Sequence, residues 1–359
     1  MGRSPVGVDS RNLDFLRAIA VLCVFLAHLS LFLIKLDYVA VSAANKVIWK
    51  IILDYVGHTG VLFFFVHTAL VLMLSLDRSD RMGMVIHFYI RRIFRIYPLC
   101  IVCICAVLLL EVPQVPEATF VPWDKGEIIA NLFLVQNIFS LPDMIMPLWT
   151  LPREFQMYLV LPFIYLLLKR FSSTLTVLLL WFGFLAVAPH AQLLASFPCF
   201  MGGVVAYQLA KEKVFRLPAA VWPFAILGLS VFGVLLNMTV MPDFRADFIV
   251  CMLLGLVIPN VLDLKASWIT RASKTVAEYS YGIYLCHEPV IWLAFVKLKA
   301  YPVPLRWATL VVLMVGVPWL AQRWIEAPLI AVGRRIAVRW TAAYVQFRAS
   351  RNPLLQPLA

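Results

Sequence analysis

Long stretches with very few charged residues constrain the fold of this chain more than any other feature. Two examples are LDFLRAIAVLCVFLAHLSLFLI at 13–34 and PFAILGLSVFGVLLNMTV at 223–240. A helix needs about 20 such residues to cross a hydrocarbon core about 30 Å thick. Hydrophobic residues make up 63% of the chain and charged residues 14%, whereas soluble domains have about 45–50% and about 25%. The sequence therefore predicts an all-α, polytopic integral membrane bundle and excludes a water-soluble domain.

The apolar stretches predict about ten transmembrane helices and one shorter helix. The expected spans are 13–34, 56–76, 94–111, 148–168, 174–189, 193–210, 219–241, 246–264, 280–297 and 305–325. Between two of them, EIIANLFLVQNIF at 127–139 has helical apolar spacing but is too short to cross the bilayer, so an interfacial or re-entrant helix is expected. Residues 1–340 are predicted to form one transmembrane domain, with 341–359 as a short cytoplasmic tail.

The basic residues predict the orientation of the chain in the membrane. With the N-terminus in the cytoplasm, 21 of the 31 lysines and arginines fall on the cytoplasmic side and eight on the other side. Cytoplasmic loops carry such an excess, so both termini are expected in the cytoplasm. The net charge of +12 is spread over short loops rather than one basic helix or tail. We therefore expect no nucleic-acid partner.

The seven cysteines lie almost entirely inside apolar stretches, where thiols behave as small hydrophobic groups. They predict no disulfide framework. Cys100, Cys103 and Cys105 are closely spaced, but no second pair of ligands accompanies them at a spacing typical of zinc sites. The sequence therefore predicts no metal site.

Ionisable residues inside apolar helices mark candidate functional groups, because a charge in the bilayer is costly and usually faces a cavity. Arg17 and His28 are eleven residues apart, which places them on the same face of a helix about 16 Å apart along its axis. Glu154 is expected at a depth similar to His28. We predict a His28–Glu154 pair in which the carboxylate fixes the imidazole tautomer and makes His28 a general base. The alternatives are an interhelical hydrogen bond for His28 and a salt bridge to Arg153 or Arg17 for Glu154.

A cluster of arginines precedes the third predicted span, in HFYIRRIFRIYPLC at 87–100. Arg91, Arg92 and Arg95 lie within about one helical turn, and guanidinium groups bind phosphate oxygens through paired hydrogen bonds. A nucleotide-like cofactor is one expected ligand. The alternative is that these arginines only set topology and contact anionic lipids.

The segment AEYSYGIYLCHEPVI at 277–291 places polar groups on one side of a predicted helix. Tyr281, Tyr284 and Glu288 share this side, and His287 lies one turn from Tyr284. Tyr284 and His287 are candidates for an acceptor path, or are polar residues of the bundle. Tyr281 is expected to be an interfacial aromatic residue.

Several motifs occur in an order that resembles the acyltransferase-3 family of membrane-bound O-acyltransferases, over essentially the whole chain. The resemblance starts with LDFLRAIAVLCVFLAH, which carries Arg17 and His28, and includes LWTLPREFQMYL, which carries Trp149 and Glu154. The other similar segments are GVLFFFV at 60–66, RRIFRIYP at 91–98, SFPCFMGGVVAYQL at 196–209, SYGIYLCHEPVI at 280–291 and RWIEAPLIAVGRR at 323–335.

The resemblance implies an enzyme that uses an acyl-CoA donor from the cytoplasm, with no metal. Related activities include the acetylation of bacterial O-antigen and exopolysaccharide, so a carbohydrate or glycolipid acceptor and a bacterial inner membrane are expected. It implies catalytic roles for His28, Glu154 and Arg17, donor binding by Arg91, Arg92 and Arg95, and acceptor binding by Trp149, Tyr284 and His287. The chain departs from the family pattern at His67, Thr68 and Ala69 and at Phe155.

Two functions from different classes follow from these residues. The first is an O-acyltransferase that moves an acyl group, expected to be acetyl, from acyl-CoA to a saccharide hydroxyl with His28 as general base. The alternative is a transporter or flippase of a lipid-linked saccharide that uses Arg17, His28 and Glu154 as a proton relay. Transporters of that kind are often built from inverted repeats, and the sequence has no clear internal repeat. The first function is therefore favoured.

Overall fold

The computed structural model describes residues 10–39, 42–79, 83–114, 119–190, 194–212, 216–239 and 245–351. These residues form twelve α-helices and no strand. In chain order, α1 to α12 are Arg11–Lys35, Ala43–Arg78, Met84–Leu110, Lys125–Phe133, Thr150–Arg170, Thr174–Val187, Phe197–Leu209, Val221–Thr239, Arg245–Val257, Trp268–Trp292, Val303–Ala321 and Ala327–Arg351.

The observed helices confirm the predicted all-α, polytopic membrane bundle. Every predicted span overlaps a helix, and α4 is the short additional one. Within the described residues, six helical segments are long and apolar enough to cross a membrane. The helices α6, α7 and α9 are apolar but contain only 14, 13 and 13 residues. The helices α7 and α9 pack against α2 and against each other, whereas α6 packs on α7.

Two helices begin well before the apolar stretches that predicted them. The helix α2 begins at Ala43 rather than near 56, and α10 begins at Trp268 rather than near 280. Ser267 starts α10 with a capping box, in which its side chain accepts from the Thr270 backbone and Thr270 bonds back. Hydropathy reports only the membrane-embedded part of a helix, so polar first turns such as these escape it.

Some sequence predictions fall on residues about which the structure gives no information. Residues 352–359 of the predicted tail lie outside the described residues, as do Arg3, Arg81 and Lys213 among the basic residues counted for orientation. The described part of the tail continues α12, so the predicted boundary at residue 340 falls inside a helix.

The short helix α4 forms within the segment predicted to be interfacial or re-entrant. Asp124 and Glu127 form a reciprocal capping box at its start. Its end is at Phe133, followed by Leu134 in the left-handed conformation, and the chain then turns back through residues 136–140. Asn131 is fully buried and donates to the carbonyl oxygen of Pro142. This hydrogen bond ties the returning loop to the helix and holds the loop that leads to α5.

The helices α2 and α7 form the centre of the bundle. The helix α7 is buried along almost its whole length, and α2 packs against α1, α5, α7, α8 and α9. Glycines allow the closest approaches. A methyl group added at Gly60 of α2 would lie 2.6 Å from the carbonyl oxygen of Ala20 in α1, and Gly202 of α7 lies against Gly255 of α9. Small residues at helix interfaces are the usual means of close packing in membranes.

A proline in α10 links this helix to α3. Pro289 has no backbone N–H, so the carbonyl oxygen of Leu285 loses its helical hydrogen bond. The thiol of Cys103 in α3 donates to that oxygen over 3.5 Å. A π-helical segment follows at Leu293–Lys297, as expected where a helical ladder is interrupted. The turn that carries His287 and Glu288 is thereby fixed between α1 and α3.

The packing of α1 on α2 predicts that Gly60→Ala destabilises the protein. Overpacking a well-packed interface costs typically about 1–3 kcal/mol, so the melting temperature of the purified protein in detergent should fall. Gly183→Ala in α6 is the matched control, because nothing lies within 4 Å of a methyl group at that position. Equal melting temperatures for the two variants would contradict the close α1–α2 contact.

Candidate active site

A cavity with about 820 Å³ of empty space, including the part open to solvent, lies between α1, α2, α3, α5 and α10. Its wall combines three guanidinium groups, one carboxylate, one imidazole and several hydroxyl groups with apolar side chains. The polar lining residues are Arg17, His67, Thr68, Arg92, Arg95, Thr150, Glu154, Tyr158, Ser280, Tyr281 and Tyr284. Such a mixture of apolar walls and a few converging polar groups is typical of ligand sites.

Two carboxylates partly compensate the cavity's guanidinium groups. Arg95 donates to Glu326 over 2.7 Å, and only 1% of the Glu326 side chain is exposed. Glu154 accepts a hydrogen bond from Tyr158 and lies in the electrostatic field of Arg17 and Arg92. With Glu326 counted as the partner of a lining residue, three positive formal charges face two negative ones at the cavity. This excess favours an anionic ligand.

The predicted pair between His28 and Glu154 is wrong. Glu154 and Arg17 both line the cavity. Arg17 lies eleven residues before His28 along α1. The predicted depth of Glu154 assumed that the span 148–168 begins at the membrane surface near residue 148. Instead Leu148 is fully buried and α5 begins at Thr150 inside the bundle.

His28 pairs instead with His287 and Glu288 of α10. The Nδ1 of His287 is 2.7 Å from the carbonyl oxygen of Tyr284, which can only accept, so this nitrogen is the donor. The Nε2 of His287 is then the acceptor, and the Nδ1–H of His28 donates to it over 2.8 Å. This chain leaves the Nε2 of His28 as the unprotonated nitrogen. The tautomer required of a general base is fixed by the two preceding hydrogen bonds.

Glu288 is the carboxylate beside His28, with its Oε1 3.4 Å from the His28 Nδ1. Its Oε2 accepts from the backbone N–H of Met146 over 3.0 Å, which holds the side chain in place. The ligating atoms of His28, His287 and Glu288 lie within 4.8 Å of one another and are of the type that holds Zn²⁺. The 2.8 Å separation of the two imidazole nitrogens is that of a hydrogen bond. The absence of a metal from the reaction remains a prediction.

The cavity wall includes Tyr284, which lies about one helical turn along α10 from His287, the hydrogen-bond partner of His28. Thr150 lines the same cavity, and the hydroxyl oxygens of Tyr284 and Thr150 are 2.9 Å apart. On the opposite wall the lining includes Val61, one turn along α2 from Gly57. A methyl group at Gly57 would lie 4.0 Å from the His28 Nε2. The glycine leaves room beside the basic nitrogen, and 20% of the His28 side chain is exposed.

The remaining predicted site residues are divided between different places. Arg91 lies outside the cavity, in a small groove with Ser79 and His87. Trp149 also lies outside the cavity and stacks against His58, with ring centroids 6.1 Å apart. The structure thus brings together Arg17, Arg92, Arg95, Glu154 and Tyr284 in one cavity and His28 with His287 in an adjoining cluster.

The partners of two site residues were not predicted from the sequence: Glu288, which lies beside His28, and Glu326, which pairs with Arg95. Glu288 shares a helical side with Tyr284, and this spacing was the available signal. Glu326 lies one residue beyond the last predicted span, 305–325, and was therefore not counted as an intramembrane acid. Its helix continues through a π-helical segment, Gln322–Glu326, into α12, so Glu326 is 98% buried.

The ion pair between Arg95 and Glu326 predicts a structural contribution from Arg95. Arg95→Gln should leave a buried carboxylate without its partner and destabilise the protein by about 3–5 kcal/mol. Glu326→Gln added to Arg95→Gln should recover most of the melting temperature, because no uncompensated charge remains. A double variant no more stable than Arg95→Gln would contradict this pairing.

Comparison with known proteins identifies the family of the chain. A family model described as an acyltransferase domain matches residues 10–323, a range that contains every residue of the His28 cluster and all of the cavity's lining residues. No curated protein and no solved structure was found to match the chain. The match covers most of the sequence and confirms the resemblance drawn from its motifs. The chain belongs to the acyltransferase-3 family and is an integral membrane acyltransferase.

Proposed function

We propose that the protein transfers an acyl group, acetyl in the simplest case, from acyl-CoA to a hydroxyl group of a saccharide or glycolipid, with His28 as the general base. The observation that carries this proposal is the adjacency of two compartments. Tyr284 lines a cavity with excess positive charge, and His287, one turn further along α10, holds the imidazole of His28 in a fixed tautomer.

The cavity suits the thioester donor. Coenzyme A carries phosphates, and guanidinium groups bind them strongly. Within the described residues, the Nε of Arg92 is buried without a hydrogen-bond partner, so a ligand oxygen can satisfy it. Arg17 lines the same cavity, whereas Arg95 is already paired with Glu326. Arg17 and Arg92 are therefore the donor-binding arginines of this proposal, and Arg95 supports the wall.

His28 performs the proton transfer. Its Nε2 removes the proton from the acceptor hydroxyl while the oxygen attacks the thioester carbonyl carbon. The C–S bond then breaks and the ester is formed. The imidazolium of His28 then gives its proton to the coenzyme A thiolate. Glu288, 3.4 Å from the other ring nitrogen, stabilises the charged imidazolium between these two events. His287 keeps the ring in its orientation and is a positioning residue.

Tyr284 is placed to stabilise the oxygen of the thioester carbonyl. The hydroxyl of Thr150 donates to the carbonyl oxygen of Pro147 over 3.2 Å. The hydrogen in the Thr150–Tyr284 contact must therefore come from Tyr284. A hydroxyl donor thus lies in the cavity wall and can turn to an oxygen that gains charge during the attack.

The proposed location is a bacterial inner membrane with both termini in the cytoplasm. The excess of basic residues on the N-terminal side supports this orientation. The donor then enters the cavity from the cytoplasm and the acceptor reaches His28 from the other face. Acyl groups would cross the membrane through the protein rather than on a carrier.

The proposal predicts that His28→Ala abolishes acyl transfer. Purified protein in lipid nanodiscs is incubated with radiolabelled acetyl-CoA and a bacterial envelope glycolipid extract, and labelled product is measured. Removal of a general base should lower turnover by about 10²- to 10⁴-fold, while the amount of folded protein stays normal. Near-normal product from His28→Ala, or wild-type protein that never consumes the thioester, would refute the mechanism. The second result would favour a transporter.

Arg92→Gln should weaken donor binding. A hydrogen bond to a charged group contributes about 1.5–3 kcal/mol, so KM for acetyl-CoA should rise about 10- to 100-fold. Arg91→Gln is the matched control, because Arg91 lies outside the cavity in the adjoining groove. Equal effects of the two substitutions would indicate that general surface charge, rather than the cavity, binds the donor.

A further inference from the structure

Two adjacent polar residues of the cavity, His67 and Thr68 of α2, are not used by the mechanism. Both line the cavity, and both lie where the chain departs from the pattern of the family. Within the described residues, neither side chain has a hydrogen-bond partner, and their polar atoms are not enclosed by protein atoms. His67 as a residue is only 8% exposed, so its accessible ring nitrogens face the cavity that it lines.

The other hydroxyl groups of the cavity wall already donate their hydrogens to protein oxygen atoms. They belong to Thr150, Tyr158, Ser280, Tyr281 and Tyr284. Among the described lining residues, this leaves Thr68 as the hydroxyl whose hydrogen has no acceptor, and the imidazole next to it is that of His67. The uncharged hydrogen-bond donors that remain available to a ligand are thus concentrated at these two residues.

His67 contributes a neutral imidazole to the cavity. Arg17 acts on this ring electrostatically, and the cavity already has an excess of positive charge, so a further positive charge here would be costly. A neutral imidazole has one donor and one acceptor nitrogen, and the Thr68 hydroxyl both donates and accepts. This combination matches an amide group, which has one N–H and one carbonyl oxygen, better than a phosphate group, which offers only acceptors.

The position of His67 along α2 lies between those of Tyr284 and Arg92. Phe64 packs against Tyr284 with ring centroids 5.9 Å apart, and His67 follows Phe64 by about 5 Å along the continuous helix α2. In the other direction, Ser75 lies about 12 Å beyond His67. Ser75 shares a groove with Arg92, and Arg92 also lines the cavity.

The proposed donor has an uncharged segment that corresponds to this position. Under the proposed function, its phosphates bind at Arg92 and its thioester carbonyl lies at Tyr284. The part of coenzyme A that joins these two groups is the pantetheine arm, a flexible chain that contains amide groups and a hydroxyl group. His67 and Thr68 therefore lie where this arm passes, and they offer the uncharged donors and acceptors that its amide groups need.

We propose that His67 and Thr68 bind the pantetheine arm of the donor, with His67 as a positioning residue that forms a hydrogen bond to an amide group of the arm. This inference rests on the proposed function for the identity of the donor.

Isothermal titration calorimetry on the protein in lipid nanodiscs tests this contact without any acyl transfer. The probes are coenzyme A and phosphopantetheine, which both contain the arm. His67→Phe keeps an aromatic ring but removes both nitrogens, so it should weaken binding of both probes about 5- to 10-fold. At least one of His67→Asn and His67→Gln should restore most of the affinity, because their amide groups replace the Nδ1 or the Nε2. His190→Phe, at an exposed histidine, is the matched control.

Thr68 gives a second, independent pair of variants. Thr68→Val keeps the shape of the side chain but removes the hydroxyl group, and should weaken binding of both probes about 2- to 5-fold. Thr68→Ser should bind them like wild type. In the acyl-transfer assay, His67→Phe should raise KM for acetyl-CoA by the same factor as it weakens binding, with kcat nearly unchanged.

The outcomes separate this inference from the acyl-transfer proposal. Wild-type affinity of His67→Phe for both probes, or equal losses in all three His67 variants, overturns the inference and leaves acyl transfer intact. Failure of the wild-type protein to bind either probe overturns both. Binding that depends on His67 in a protein that forms no acylated glycolipid supports the inference and refutes only the proposed acceptor. If His67→Phe loses its melting transition, the comparison of Thr68→Val with Thr68→Ser decides.

Discussion

Three guanidinium groups inside an apolar helix bundle impose the constraint on which the site depends. Arg17, Arg92 and Arg95 come from α1 and α3 and line one cavity, where an unpaired charge would be costly. Glu326 reaches Arg95 from the far end of the chain, and Glu154 enters the same field from α5. The two acids leave an excess of positive charge. The helices that close the cavity are therefore tied together by charges that only an anionic ligand can fully balance.

The arrangement divides the interior into two chemically different compartments. The cavity is basic, whereas the cluster around His28 offers a neutral imidazole of fixed tautomer beside one carboxylate. Tyr284 lines the cavity and its backbone carbonyl accepts from His287, so this residue contacts both compartments. Under the proposed function, such a separation would let the donor and the acceptor meet different sets of groups.

The roles of α2 and α10 follow from their backbones as much as from their side chains. Gly57 leaves space beside His28. Gly60 lets α1, which carries His28, approach α2 closely. In α10, Pro289 frees a carbonyl group that Cys103 then satisfies, which fixes the turn bearing His287. The geometry of the imidazole pair thus depends on two helix irregularities that carry no charge.

The fold class and several site residues could be predicted from the sequence because they depend on local patterns. Apolar length predicted the helices, and rarity of charge within them selected Arg17 and Glu154, which line the cavity. The run of arginines before the third span selected Arg92, and the polar side of a predicted helix selected Tyr284, which line it as well. The predicted pairing of His28 with Glu154 was wrong, since it depended on where α5 begins relative to α1. A 3-10 helix, Met146–Trp149, with Pro147 and Leu148 buried, directly precedes α5, and hydropathy does not predict such a segment.

The sequence by itself determined that the chain forms a membrane-embedded helical bundle with ionisable groups on particular helix faces, because both follow from composition and from the helical repeat. Only the tertiary structure decided which groups meet. The partners of His28 are 259 and 260 positions away, and Glu326 is 231 positions from Arg95. Contacts of this length depend on how helices rotate and slide against each other, and that is set by packing along whole interfaces rather than by any local pattern.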